Sequence, residues 1–401
     1  MKFIPSLDKN FTPMILELRK YQASVAKAQK KQEVIFCLER SHGYNYFYNI
    51  ETFVDGTGHD EENFAMLERI VKSLFWIVGG YKLYVAGSKF IAEQLQKAYS
   101  SGGIREFDYE FMSDVYSQPV TILFVKKEDL PAPNFEAVSF NNDLNGCRIG
   151  FDAGGSDRKV SAVMDGEVLY SEETVWYPKI TADPEYHYQG ILESMKKAAS
   201  YLPRVDAIGV SSAGIYVDNK IRVASLFLKV NKEDFKRRVE TMYIDVAKEF
   251  GDVPLVVTND GDVTALAGAM ELNDNQVLGI AMGTSEAAGY VDEAGQLKGW
   301  LNELAFVPVD THKEAMVDEW SLDYGCGVKY FSQDAVIKLA KPAGIELDEN
   351  LAPAQKLKIV QKLNEEGDPR ANEIFENIGI YLGYTLAYYA HFYQIKHVLL
   401  L

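Results

Sequence analysis

The chain has 401 residues, 47% hydrophobic and 25% charged, with a formal net charge of −17. That length exceeds one hydrophobic core, so two or three domains are expected. The acidic balance argues against a nucleic-acid-binding surface, which needs a basic footprint, and no apolar run reaches the roughly 18 residues of a spanning helix.

The opening MKFIPSLDKNFTP lacks the apolar stretch and small-residue cleavage site of a secretory signal. Cys37, Cys147 and Cys326 are far apart and fit neither a disulfide framework nor a zinc pattern, so a cytoplasmic location is expected. Residues 14–31 carry helical spacing. EVIFCLE (33–39) and YNYFYNI (44–50) read as strands joined through SHG. A helix follows over 61–77, then a strand over 81–87 that enters a helix at Ser88, then a strand over 118–125. Prolines in KEDLPAPNF and the turn residues NNDLNG place a domain boundary near 128–146.

From Cys147 the pattern is strand, glycine turn, strand, Asp-Gly turn, strand. A helix over 188–201 precedes VDAIGVSSAG, a buried strand ending in a glycine loop. A helix over 231–250 leads to PLVVTND (254–260), a short helix VTALAGAM, and a hairpin in QVLGIAMGTSEAAGYVDEAGQLKGW. Residues 314–366 read as mainly helical, 371–394 as a helix, and IKHVLLL as a strand.

Three signals carry chemistry. Asp152-Ala153-Gly154-Gly155-Ser156 ends an apolar strand; glycines let backbone N–H groups approach phosphate, and an aspartate there can hold hydrated magnesium. The same residues also serve as a plain hairpin turn. Gly283-Thr284-Ser285 follows a second apolar strand, with the same two readings. Asn259-Asp260 follows PLVVT; a carboxylate at the carboxyl end of a buried strand can act as a general base, and the pair is equally ordinary helix-capping chemistry.

In their order, these segments resemble the ROK (repressor, open reading frame, kinase) family of the actin–hexokinase–chaperone superfamily. The matching segments are DAGGS (152–156), GVSSAG (209–214), Asn259-Asp260-Gly261-Asp262 and Gly283-Thr284-Ser285-Glu286-Ala287-Ala288-Gly289. The resemblance implies an α/β, two-lobed actin-like ATPase of ribonuclease H-like fold, with lobes over 147–262 and 263–401. An additional N-terminal α/β domain over 1–146 has no assigned role. It implies a glucokinase-like kinase using ATP and Mg2+. In that reading Asp260 is the general base, Asn259 and Glu303 bind sugar, and Asp152 positions the metal. Gly154, Gly155, Ser156, Gly283, Thr284 and Ser285 line the phosphates. The implied partners are a small sugar and a nucleotide, with neither nucleic acid nor membrane, and a homodimer is one expected state.

Several departures bear on this expectation. The family's zinc motif is absent, leaving Tyr324-Gly325-Cys326-Gly327, so no zinc is expected. Glu286 and two alanines alter the second turn; Glu286 either points outward or marks a weakened kinase. The strand KHVLLL ends the sequence where the superfamily continues into an adenosine-supporting turn, so an incomplete adenosine pocket is expected. The rival reading is a non-catalytic sugar-sensing or regulatory protein. An acyl-phosphate-forming relative ranks below both, and the strand-rich, non-basic N-terminal region argues against a helix-turn-helix repressor.

Overall fold

The computed structural model describes residues 1–135 and 145–401; the first four residues of the turn signal NNDLNG and part of the expected boundary lie outside them. The chain divides into two compact units. The first comprises Met1–Glu136, Ile280–Ala288 and Trp300–Leu401, the second Ala137–Gly279 and Gly289–Gly299. This partition differs from the expected cuts at 147 and 263.

The first unit begins with α1 (Met14–Lys27). β1 (Lys31–Glu39) and β2 (Asn45–Phe53) then form the expected antiparallel hairpin, in register from Lys31 opposite Phe53 to Glu39 opposite Asn45. After α2 (Asp60–Ile77), β3 (Lys82–Ala86) pairs antiparallel with β1. Ser88 starts α3 (Lys89–Ala98) by accepting the Ile91 N–H at 3.0 Å, the expected N-cap. The sequence reading assigned no helix at α4 (Glu106–Tyr116). β4 (Thr121–Phe124) pairs parallel with β3, giving the order β2-β1-β3-β4.

Within this unit the N-terminal residues pack against the C-terminal ones. Trp76 stacks on Phe306 at 4.1 Å, and Phe11 packs on Tyr381 at 4.6 Å. Arg69, Lys72 and Arg105 meet Glu68, Asp108 and Asp323 in a buried ionic cluster, with Arg69 Nη1 2.6 Å and Lys72 Nζ 2.8 Å from Asp323 Oδ2. These cations hold the Asp323 carboxyl well below its usual range despite its burial.

The second unit is built on β5 (Cys147–Ala153), β6 (Asp157–Met164) and β7 (Glu167–Val175), antiparallel in succession. The Asp165-Gly166 turn between β6 and β7 has φ of 50° and 86°, the primed hairpin geometry expected of Asp-Gly. α5 (Pro184–Ala199) leads to β8 (Ala207–Ser212), parallel to β5. A hairpin unread in the sequence, β9 (Ile215–Val217) and β10 (Lys220–Val223), turns at Asp218-Asn219. The expected helix 231–250 is broken into α6 (Lys232–Asp234), a π-turn over Phe235–Val239 and α7 (Met242–Lys248). β11 (Leu255–Asn259), parallel to β8, runs into α8 (Asp260–Leu272). The order β11-β8-β5-β6-β7, three antiparallel strands followed by two parallel ones, is the expected ribonuclease H-like arrangement.

Alternation along β5 sends Ile149, Phe151 and Ala153 to one face, where they join Ile208 and Val210 of β8. Ile191 and Met195 of α5 and Met242 and Val246 of α7 pack into the same core.

β12 (Val277–Met282) and β13 (Glu286–Val291) form the expected hairpin, followed by α9 (Gln333–Ala340), α10 (Pro353–Glu365) and α11 (Pro369–Tyr389). β14 (His397–Leu400) completes a sheet ordered β13-β12-β14. The expectation of mainly helical structure over 314–366 fails before α9. There the chain makes isolated bridges, Pro308 with Cys326 and Val317 with Tyr324, and Gly325 takes φ 69° against the Asp310 carbonyl. Among the described residues no helix is long and apolar enough to cross a membrane.

Candidate functional site

β5, β8 and β11 are parallel, so their carboxyl ends lie on one edge of the second unit's sheet. The register sets Asp152 beside Ser211, and Ser211 beside Thr258. All three side chains therefore share the face away from the helical core. Behind them come Gly150, Gly209 and Val256, residues small enough to leave a groove of about 450 Å3. Lys159, Ser161 and Ser171 also line it, and Val263 and Leu266 of α8 form one wall.

The turn from β5 to β6 carries Gly154, Gly155 and Ser156. A Cβ on Gly154 would stand 2.7 Å from the Asp157 carbonyl oxygen, so this position requires glycine. Trp176 ties the turn down: its Nε1–H donates to Gly154 O at 2.8 Å and its backbone N–H to Ser156 O at 3.1 Å. Ser156 Oγ donates to Asp157 Oδ2 at 3.0 Å, and Lys159 Nζ pairs with Asp157 Oδ1 at 2.7 Å.

Asn259 and Asp260 open α8, as the helix-capping reading of the sequence expects. Asn259 is the N-cap: its Oδ1 accepts the Gly261 N–H at 2.7 Å and its Nδ2 donates to Gly214 O at 2.7 Å. One amide hydrogen and one lone pair remain for other partners. Asp260 is half-buried. One of its oxygens accepts the Gly261 N–H at 3.0 Å, and no other side chain among the described residues hydrogen-bonds the carboxylate. Burial raises the Asp260 pKa and the negative charge of Asp152 adds to the rise. Thr264 Oγ1 secures the first turn by donating to Asp260 O at 2.9 Å.

β13 braces that turn. A Cβ on Gly289 would lie 2.2 Å from Gly261 O and 2.4 Å from Asp262 N. Only glycine allows the strand so close to the residues beside Asp260. Asp262, buried, accepts from Thr258 Oγ1 at 3.2 Å and from the Tyr290 N–H at 3.4 Å. The sequence reading placed Gly289 in a glycine-bearing turn motif; its contact is instead with a helix.

Among the solved structures similar to this chain are proteins of the ROK family. A ROK hexokinase from Thermus thermophilus aligns at 18% identity and TM-score 0.49, over 64% of this chain and 81% of that one. A ROK family transcriptional regulator, a homologue of the E. coli MLC protein, gives 18% and 0.48 over 65% and 66%. A ROK family glucokinase from Streptomyces griseus, in complex with glucose and AMPPNP, gives 20% and 0.44 over 64% and 82%. No family model matches the chain, and no curated protein does.

The remaining candidates belong to the first unit. Gly283, Thr284 and Ser285 form an exposed turn, closed by the Gly283 N–H on Ser285 O at 3.0 Å and anchored by the Gln333 N–H on Gly283 O at 2.9 Å. Glu303 is half-buried, with its N–H on Trp76 O at 3.0 Å. Glu286 does not point outward: it is 4% exposed, and neither carboxyl oxygen has a hydrogen-bond partner among the described residues. Burial, then the charge of Glu303, raises its pKa well above the usual value. Gly327 leaves room for it, since a Cβ there would meet Glu286 Oε2 at 2.4 Å. Cys326 is fully buried, with its thiol beside Asp323.

Proposed function

We propose that this chain transfers a phosphoryl group from Mg-ATP to a hydroxyl of a hexose or a closely related sugar. The observation that carries the reading is Asp260: a half-buried carboxylate at the carboxyl edge of three parallel strands, hydrogen-bonded by no other side chain among the described residues. A general base needs a free lone pair and a pKa raised toward neutrality, and burial provides the second. The carboxylate takes the proton of the attacking hydroxyl. Asn259, fixed by its cap bond and by Gly214, offers its remaining amide hydrogen to the same sugar.

Asp152 and Asp260 sit close enough for one charge to raise the pKa of the other. Magnesium, which binds through one or two carboxylates plus water and phosphate oxygens, fits that donor set, with Asp152 as its holder. When bound, the ion supplies charge neutralisation for the phosphates. The N–H groups of Gly154 and Gly155 supply donors to phosphate oxygens at the end of β5, while the Ser156 hydroxyl, donating to Asp157, holds the turn in shape. Positioning and neutralised charge are most of what phosphoryl transfer asks of a protein. The reading rests on the second unit alone.

The test is release of ADP from Mg-ATP across a panel of hexoses and N-acetylhexosamines. Sugar-dependent release supports the kinase and names its substrate class. Sugar binding by calorimetry with no release at any sugar moves the assignment to a sugar sensor.

A further inference from the structure

We infer that Lys179 grips the terminal phosphates of the phosphoryl donor from above the Asp152–Ser156 turn. The inference rests on the phosphoryl-transfer reading and adds a cation that the sequence motifs did not contain. Lys179 lies in WYPKI, just after β7, on the 3-10 turn Pro178–Ile180. Two bonds from Trp176 fasten this strap to the turn: the indole N–H to Gly154 O and the backbone N–H to Ser156 O. Trp176 is itself 1% exposed, so the fastening is part of the core.

The strap is also held from behind. His187, fully buried, places Nε2 3.1 Å from Pro178 O. The Tyr177 N–H donates to Tyr186 Oη at 3.0 Å, and Thr181 Oγ1 to Tyr177 O at 2.7 Å. The outcome is a lysine lying directly on bare backbone. A Cβ on Gly155 would stand 2.6 Å from Lys179 Cε and 2.7 Å from its Nζ. A side chain at the second glycine of DAGGS would push the flexible end of Lys179 aside and move its ammonium group off the turn.

Charge sets Lys179 apart from its neighbour. Lys159 is neutralised by Asp157 at 2.7 Å, whereas Lys179 has no ion-pair partner among the described residues. An unpaired, exposed ammonium beside glycine N–H groups makes a mixed cradle of the kind that binds phosphate oxygens. Lysine acts there as a point charge and reads no base or ribose. The recognised chemistry is therefore a phosphoanhydride chain, from a nucleoside triphosphate or from inorganic polyphosphate.

Calorimetry with Mg-triphosphate (inorganic) and with a magnesium-bound, non-hydrolysable ATP analogue tests this on the wild type, Lys179→Met, Lys179→Arg and Gly155→Ala. Loss of a charge-assisted hydrogen bond predicts about 10- to 100-fold weaker binding of both ligands to Lys179→Met. Lys179→Arg recovers most of it, Gly155→Ala weakens both ligands, and the melting temperature of Lys179→Met stays at the wild-type value. A tighter nucleotide arm assigns a nucleoside triphosphate as donor; an equal or tighter triphosphate arm assigns polyphosphate. Unchanged binding by Lys179→Met overturns the inference, and sugar-dependent ADP release by the wild type would then leave the kinase reading intact. Weakened binding without any sugar-dependent turnover keeps the lysine contact and removes the kinase. A wild type that binds neither ligand, or a loss confined to the nucleotide, overturns the phosphate assignment.

Discussion

Replacing Gly289 by alanine tests how the site is held. The added Cβ would sit 2.2 Å from Gly261 O and 2.3 Å from Gly261 C, both backbone atoms. Ordinary carbon contacts begin near 3.5 Å, so the first turn of α8 or β13 must shift by roughly 1 Å. That turn carries Asp260, and a misplacement of about 1 Å costs on the order of 100-fold in rate. The same overpacking lowers stability by about 1–3 kcal/mol. Gly379→Ala is the control, because a Cβ there meets nothing within 4 Å and the residue lies in α11, outside the groove. Urea unfolding and sugar-dependent ADP release on both variants are the assays. Gly289→Ala with stability and kcat/KM both at or above the wild-type values would refute the claim that β13 positions the base.

Other perturbations give equally definite expectations. Lys72→Met removes from the buried cluster the ammonium that stands 2.8 and 3.8 Å from Asp323 and Asp108, while Arg69 and Arg105 stay on Asp323; a loss of about 3 kcal/mol in denaturant unfolding, the low end for a broken buried pair, is expected. Glu286 has its carboxyl pKa raised in the folded state, so its protonated form is favoured there, and stability falls as pH rises from the ordinary carboxylate range toward the folded value. Glu286→Gln should remove that decline, which is at most about 1.4 kcal/mol per pH unit, and so gain on the wild type between pH 5 and pH 8 in urea melts. In the proposed reaction Asp260 is the ionised base, and its pKa is raised, so the acid limb of kcat/KM should fall above the ordinary aspartate range of about 4. A limb at or below that range would contradict the burial argument.

Local chemistry was legible where it is self-contained. Ser88 announced a helix, Asp165-Gly166 announced a turn, and the apolar runs of β5, β8 and β11 announced buried strands. Asp218-Asn219 makes a similar turn with φ of 55° and 61° without glycine, and its hairpin was not anticipated. Residues 314–332 have helix-compatible composition but are committed to distant partners, among them Asp323 in the ionic cluster and Gly325 against Asp310. Asp152 and Asn259-Asp260 were readable from strand ends. The neighbours of Gly155 and Gly289 were not, because each is met by an element distant in sequence, Lys179 and α8 respectively.

The most direct test of the central claim is Asp260→Asn, measured for sugar binding by calorimetry and for turnover by ADP release. Loss of the base alone predicts sugar affinity within about threefold of wild type and turnover lower by roughly 100- to 10,000-fold. An Asp260→Asn variant that phosphorylates sugar at the wild-type rate would contradict the assignment of Asp260 and, with it, the reading of this site.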